Sequence, residues 1–215
     1  MKNLVTVMRI IAMISFMIAM GSCAEVTTGK QPTPLGTDIY APEVTEHNAP
    51  TGYDEYLWVG DSRTVGMSGV ASMNTIAESG MGLNYLKEKA PEVLSVEGNN
   101  VVFFFGVNDL DNVYKYAQFY NDISDEFFEH NDVFVLTVTP VDEEKERDYD
   151  YNISNISIDQ FNEELTKKLK NKIHVIDTGT YLKEVGFDTL DGIHYTDDTY
   201  RVLYNYIVQE INKAA

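Results

Sequence analysis

The stretch Tyr56-Leu57-Trp58-Val59-Gly60-Asp61-Ser62-Arg63-Thr64-Val65-Gly66 decides how the rest of the chain is read. An apolar run of strand character, Leu57 to Val59, stops at Gly60. A small polar trio follows, and then a segment of weak helical character. In an open parallel α/β sheet, ligands bind in the crevice beyond the carboxyl ends of the strands. A serine one or two residues past the first strand stands at that edge, at or near a helix N-terminus. Free backbone N–H groups and the helix dipole there favour developing negative charge. Ser62 is therefore a candidate nucleophile for chemistry that passes through an oxyanion. The same residues also read as plain turn chemistry, since Asp and Ser are common helix N-caps. The remaining elements decide between the two.

Outward from this stretch, strand-like runs recur at 55–59, 73–77, 101–105, 133–138 and 173–176. The third is continuously apolar, as a strand buried on both faces should be. Helical spacing is read at 83–94 (interrupted by Pro91), 114–128, 158–169 and 197–211. Strands alternating with helices imply a parallel sheet covered on both faces.

The 215-residue chain suits one domain preceded by a leader. Lys2 and Arg9 form a positive start, residues 10–20 are almost wholly apolar, and Gly21-Ser22-Cys23 follows. The run is too short to span a membrane and reads as a signal peptide over 1–22. Its end resembles the lipobox of bacterial lipoproteins, with Met20 where that pattern prefers Leu. The resemblance implies a lipid-modified Cys23 as the mature N-terminus and a membrane lipoprotein facing away from the cytoplasm; the alternative is plain secretion. Cys23 is the single cysteine, so no intrachain disulfide forms. Residues 23–52, with Pro32, Pro34, Pro42 and Pro50 and no sustained period, read as a flexible tether, and 53–215 as the globular domain. Loss of residues 1–22 removes Lys2 and Arg9 and no acid, so the formal net charge moves from −18 to −20. Such a field repels nucleic acid and anionic lipid headgroups and argues for a neutral or cationic partner.

Three short motifs follow the other elements: the Gly80/Gly82 turn after the second strand, Gly106-Val107-Asn108-Asp109 after the third, and Asp191-Gly192-Ile193-His194 before the last helix. Loops after parallel strands open on one edge, so Ser62, Gly80, Asn108 and the Asp191/His194 pair can converge. An Asp-x-x-His turn also lets the carboxylate fix the imidazole tautomer. Together with Gly60-Asp61-Ser62, these blocks resemble the SGNH, or GDSL-type, serine hydrolase family, with Arg63 where many members have Leu.

The resemblance implies a flavodoxin-like three-layer α/β/α fold with a central parallel sheet of about five strands, and an esterase acting on small acyl esters. It implies Ser62 as nucleophile, His194 as base and Asp191 as its orienting carboxylate. The oxyanion donors would be the Ser62 N–H, the Gly80 N–H and the Asn108 side-chain amide, with Gly82 as an alternative to Gly80. Asp109 reads as structural. Arg63 is a candidate substrate contact through its guanidinium, or a structural partner for nearby acids. Tyrosines in the 141–157 loop could stack on sugar rings. Location, charge and those aromatics suggest an acetylated glycan as substrate. A lysophospholipase or thioesterase of the same family, and a glycan-binding lipoprotein without chemistry, are the alternatives. His47, His130 and His174 read as tether, helix-end and strand residues. No spacing suggests a metal site, and no cofactor is expected.

Overall fold

A computed structural model describes residues 55–148 and 151–214. The leader over 1–22, Cys23 and the tether over 23–52 lie outside the described residues, as do Tyr149 and Asp150. Five strands form one sheet: β1 (Tyr56–Gly60), β2 (Asn74–Ala77), β3 (Asn100–Phe104), β4 (Asp132–Leu136) and β5 (His174–Ile176), in the order β2-β1-β3-β4-β5. Every pairing is parallel, with Val59 opposite Ile76 on one side and Phe103 on the other.

Strand alternation divides the core into two layers. Leu57, Val59, Val101, Phe103, Val133 and Val135 face one way and pack with α2 (Leu83–Val93), α3 (Val113–Asn121) and α6 (Asn155–Lys168), through Leu86, Tyr116, Ala117, Ile158 and Phe161. Tyr56, Trp58, Val102, Phe104, Phe134 and Leu136 face the other way. They pack with α1 (Ser62–Ser68), α7 (Thr178–Val185) and α8 (Asp197–Ala214), through Met67, Leu182, Leu203, Ile207 and Ile211. Central strands covered on both faces need apolar side chains at every position, which is why 101–105 reads as an unbroken run.

The chain crosses on the α1 face between β1 and β2 and on the opposite face between β2 and β3. The sheet order therefore reverses between β1 and β3, and the crevice at such a switch point is where ligands bind in this topology. Residues 61–62 leave β1 and residues 106–109 leave β3, so the fold puts both motifs there.

The helical reading changes in three places. The pattern over 114–128 is two helices, α3 and then α4 (Asp125–His130), because Ser124 turns extended (ψ 152°) and its side chain accepts the Phe127 N–H. Both helices point apolar residues at the same layer, so the spacing runs on across the break. Pro91 lies inside α2 near its end, and the helix continues to Val93. Two helices are absent from the sequence reading: the single turn α5 (Glu143–Glu146), capped by Asp142, and α7, whose Asp177 side chain accepts the Thr180 N–H.

Candidate active site

β1 ends at Gly60, and Asp61 caps α1 by accepting the Arg63 N–H on Oδ1 (3.0 Å). Ser62 is thus the first helical residue, and its own N–H has no intrahelical acceptor. Its side chain meets the 188–195 loop, which an antiparallel bridge between Thr189 and Tyr195 closes. His194 Nε2 lies 2.9 Å from Ser62 Oγ, and His194 Nδ1 lies 2.6 Å from Asp191 Oδ2. Asp191 Oδ1 also accepts the Ile193 and His194 backbone N–H groups at 3.0 and 2.8 Å. Burial opposes ionisation of Asp191, but the hydrogen bonds from His194 and Ile193 outweigh it and hold the carboxyl below its ordinary value. An ionised Asp191 accepts a hydrogen bond from Nδ1–H, which leaves Nε2 to accept the serine O–H. The arrangement can deprotonate Ser62.

Next to Asp61, Asn108 Nδ2 donates to Met81 O (2.8 Å) and makes a long contact to Asp61 Oδ2 (3.4 Å). These contacts link the turn at 80–82, the loop after β3 and the start of α1. Gly80 is exposed in a left-handed conformation (φ +76°) with open space where a Cβ would stand. Gly82 differs: a Cβ there would lie 2.5 Å from Asp109 Oδ2. Gly82 is the N-cap of α2 and has no side chain to cap with; Asp109 supplies that oxygen, accepting the Leu83 N–H at 2.9 Å. Asp109 also accepts from the Tyr116 hydroxyl (2.7 Å) and from Asn112 Nδ2 (3.2 Å), a structural hub. Packing explains the glycine at 82, and backbone conformation the one at 80.

Arg63 needs a correction. It is 1% exposed, and its guanidinium donates inward to the carbonyls of Ile193, Thr139 and Pro140 and to Thr139 Oγ1. With those donors spent, the side chain is not available to a substrate, and its acceptors are carbonyls rather than the acids expected.

Sequence reasoning treated Asp61 as a cap alone. The carboxyl is 1% exposed, and burial pushes it up to about 6, against the opposing Arg63 N–H bond and the charges of Arg63 and His194. Thr139 and Pro140, just past the strand read at 133–138, carry no motif of their own that points to the contact with Arg63. The available signal was an arginine in the first turn of a helix that follows a buried strand. The 141–157 loop packs beside the Asp191 turn: Asp142 N–H donates to Gly192 O and Lys145 Nζ to Thr189 O, both at 2.9 Å. Of its tyrosines, Tyr151 is exposed. His130 ends α4 and His174 lies in β5, stacked on Phe134. Among the described residues, no group of three His, Cys, Asp or Glu side chains is arranged to hold a metal.

No protein-family model matches the chain, and no curated protein matches it in sequence. Solved structures do match. A lipase/acylhydrolase from Enterococcus faecalis aligns over 74% of this chain and 96% of its own, at 20% identity and a TM-score of 0.60. A GDSL-like lipase from Bacteroides thetaiotaomicron aligns over 76% and 90%, at 19% identity and a TM-score of 0.58. A protein described as an acetyl xylan esterase aligns over 73% and 99%, at 18% identity and a TM-score of 0.55. The five-stranded parallel sheet with helices on both faces is the fold of these GDSL-like lipases and acylhydrolases.

Proposed function

We propose that the protein is a serine esterase of the SGNH, or GDSL, type, acting on small acyl esters. The observation that carries this reading is the continuous chain from Ser62 Oγ through His194 to Asp191, at 2.9 and 2.6 Å. Ser62 Oγ attacks the acyl carbon while His194 Nε2 takes its proton. The Ser62 N–H, the Gly80 N–H and the Asn108 amide, which gives up its long contact to Asp61, receive the oxyanion. Collapse expels the alcohol, which takes the proton from His194. Water, activated by His194 in turn, then releases the acid and restores Ser62.

The short-acyl preference rests on the sequence, in which no broad apolar lid segment stands ready to cover a long acyl chain. Acetyl groups on a carbohydrate are the proposed substrate. The strongly acidic chain disfavours anionic lipid, and one structural neighbour is described as an acetyl xylan esterase. Export and lipid anchoring at Cys23 complete the proposal, on the three-part leader.

The test is hydrolysis of p-nitrophenyl acetate by the chain lacking residues 1–23, beside Ser62→Ala. Activity that is absent, or equal in the two proteins, refutes the assignment. A series from acetate to decanoate reads the acyl preference, and a long-chain optimum would replace the acetyl esterase by a lysophospholipase-like enzyme. Membrane partitioning of the full chain against Cys23→Ala decides the anchor, and identical partitioning would remove it.

A further inference from the structure

Among the described residues, Arg63 is the only lysine or arginine that is buried. Burying a cation is unfavourable unless its donors are satisfied. No carboxylate lies within ion-pairing distance of it among the described residues; carbonyl dipoles do the work instead. Nε donates to Ile193 O at 3.3 Å, Nη1 to Thr139 O and Oγ1 at 2.7 and 2.8 Å, and Nη2 to Pro140 O at 3.2 Å. The Tyr195 ring lies 5.2 Å from the guanidinium carbon, and the Tyr195 hydroxyl donates to the same Pro140 carbonyl. One side chain therefore gathers the start of α1, the segment after β4 and the loop that carries the base.

What this gathering controls follows from the hydrogen bonds of the 188–195 loop. Asp191 orients the imidazole, but all its bonds stay within the loop: to Ile193 N, His194 N and His194 Nδ1. They fix the ring relative to the loop and say nothing about where the loop stands relative to Ser62. The bonds of Asp142 to Gly192 O, Lys145 to Thr189 O and Tyr195 to Pro140 O tie the loop to the 140–145 segment. Those of Asp188 and Thr196 run to each other and to Thr199 and Tyr200 at the start of α8. Among the described residues, two bonds run from this loop to α1: the catalytic contact itself and Arg63 to Ile193 O. Arg63 is the residue after Ser62, and Ile193 is the residue before His194. The planar fork keeps its donors at fixed angles, so it sets a distance that a flexible ammonium would not.

We propose that Arg63 is a positioning residue for the Ser62–His194 pair, holding the loop of the base in register with the helix of the nucleophile. The inference rests on the reading of Ser62 as nucleophile and His194 as base. Proton transfer depends on their separation, and misplacement by about 1 Å costs on the order of a hundredfold in rate. A side chain that only staples the fold would lower the melting temperature and leave turnover by the folded protein intact. A positioning residue lowers kcat and leaves KM alone.

The experiment compares wild type, Arg63→Met and Arg63→Lys on p-nitrophenyl acetate, well below each melting temperature. The expected result is a kcat lowered by about tenfold or more in Arg63→Met with KM within about twofold, and a smaller loss in Arg63→Lys. Alongside, the His194 ring nitrogens are followed by NMR with and without Ser62→Ala. That substitution should shift the Nε2 resonance in the wild-type background and leave it unmoved in the Arg63→Met background. A folded Arg63→Met with kcat within about twofold of wild type, or with the Ser62→Ala shift intact, overturns the proposal. So does a wild-type His194 that does not respond to Ser62→Ala. If Arg63→Met does not fold, Arg63→Lys is held to the same two criteria. Should wild type lack esterase activity, the functional reading fails, and the NMR comparison still decides the role of Arg63.

Discussion

The loop that carries Asp191 and His194 and the loops that carry Gly80 and Asn108 both reach the Asp61-Ser62 turn, but they are held there differently. The histidine loop is bonded within itself by Asp191, to the 140–145 segment by three further hydrogen bonds, and to α1 by the buried fork of Arg63. The side proposed to receive the oxyanion is more exposed. Gly80 stands open to solvent, and Asn108 is exposed, with one firm bond to Met81 O and one long contact to Asp61. A general base must hold one ring in one orientation before substrate arrives, which takes packing and many bonds. An oxyanion donor works best when its N–H is already aimed where the charge will form, and on this side that aim rests on one backbone turn and one short side chain.

Breaking the base half should have the largest effect. Asp191→Asn keeps the shape but presents an amide to Nδ1, and kcat should fall by about 10⁴, as for other triads whose tautomer is disturbed. A loss below tenfold in steady-state kinetics would mean that the loop backbone alone orients His194. On the more exposed side, Asn108→Ala should cost about 10²–10³ in kcat with the fold intact. A loss equal to that of Asp191→Asn would erase the contrast between the halves.

The third experiment addresses Asp61, which belongs to both halves. Burial raises this carboxyl from 3.8 to about 6, so the folded chain holds the proton more tightly than the unfolded one. Its contribution favours folding below about pH 4 and is lost as pH rises through about 6. Asp61→Asn has no such titration. Wild type should therefore lose up to about 3 kcal/mol relative to the variant between pH 4 and 7, measured by urea unfolding. A pH-independent difference would mean that the carboxyl titrates as an ordinary one. Asp191, held low by its hydrogen bonds, acts in the opposite direction, losing its contribution as pH falls, and it cancels in this comparison.

The smallest effect separates the two glycines. Gly82→Ala pushes a methyl against the Asp109 carboxylate and should destabilise by about 1–3 kcal/mol. Gly80→Ala meets open space and carries only its backbone penalty, about 1–2 kcal/mol. A larger loss of turnover for Gly80→Ala, beside a larger melting shift for Gly82→Ala, would assign the donor to 80 and the helix cap to 82. The reverse pattern would exchange them.

Most of the strands were legible as short apolar runs bounded by small or polar residues, and β2 (Asn74–Ala77) by the small-residue turn that follows it. The observed bounds fall within two residues of those read, as Tyr56–Gly60 against 55–59 illustrates. The split at Ser124 was not legible, because a capping residue and a mid-helix serine leave the same apolar spacing on either side. Helix α7 was missed for the converse reason: Thr178-Gly179-Thr180 has poor helix propensity, and the Asp177 cap and packing of Leu182 override it.

Within the site, the sequence by itself determined which chemical groups are present and that loops after parallel strands would bring them to one edge. Both follow from local patterns that every residue carries with it: alternation, caps and turns. Only the tertiary structure decided that Arg63 points inward to three carbonyls, that Asp61 is buried, and that Asp109 rather than residue 82 caps α2. Each of these depends on what faces a side chain from a segment 26 to 130 positions away. No local pattern encodes that neighbour, because burial and hydrogen-bond partnership belong to the packed assembly rather than to the residue.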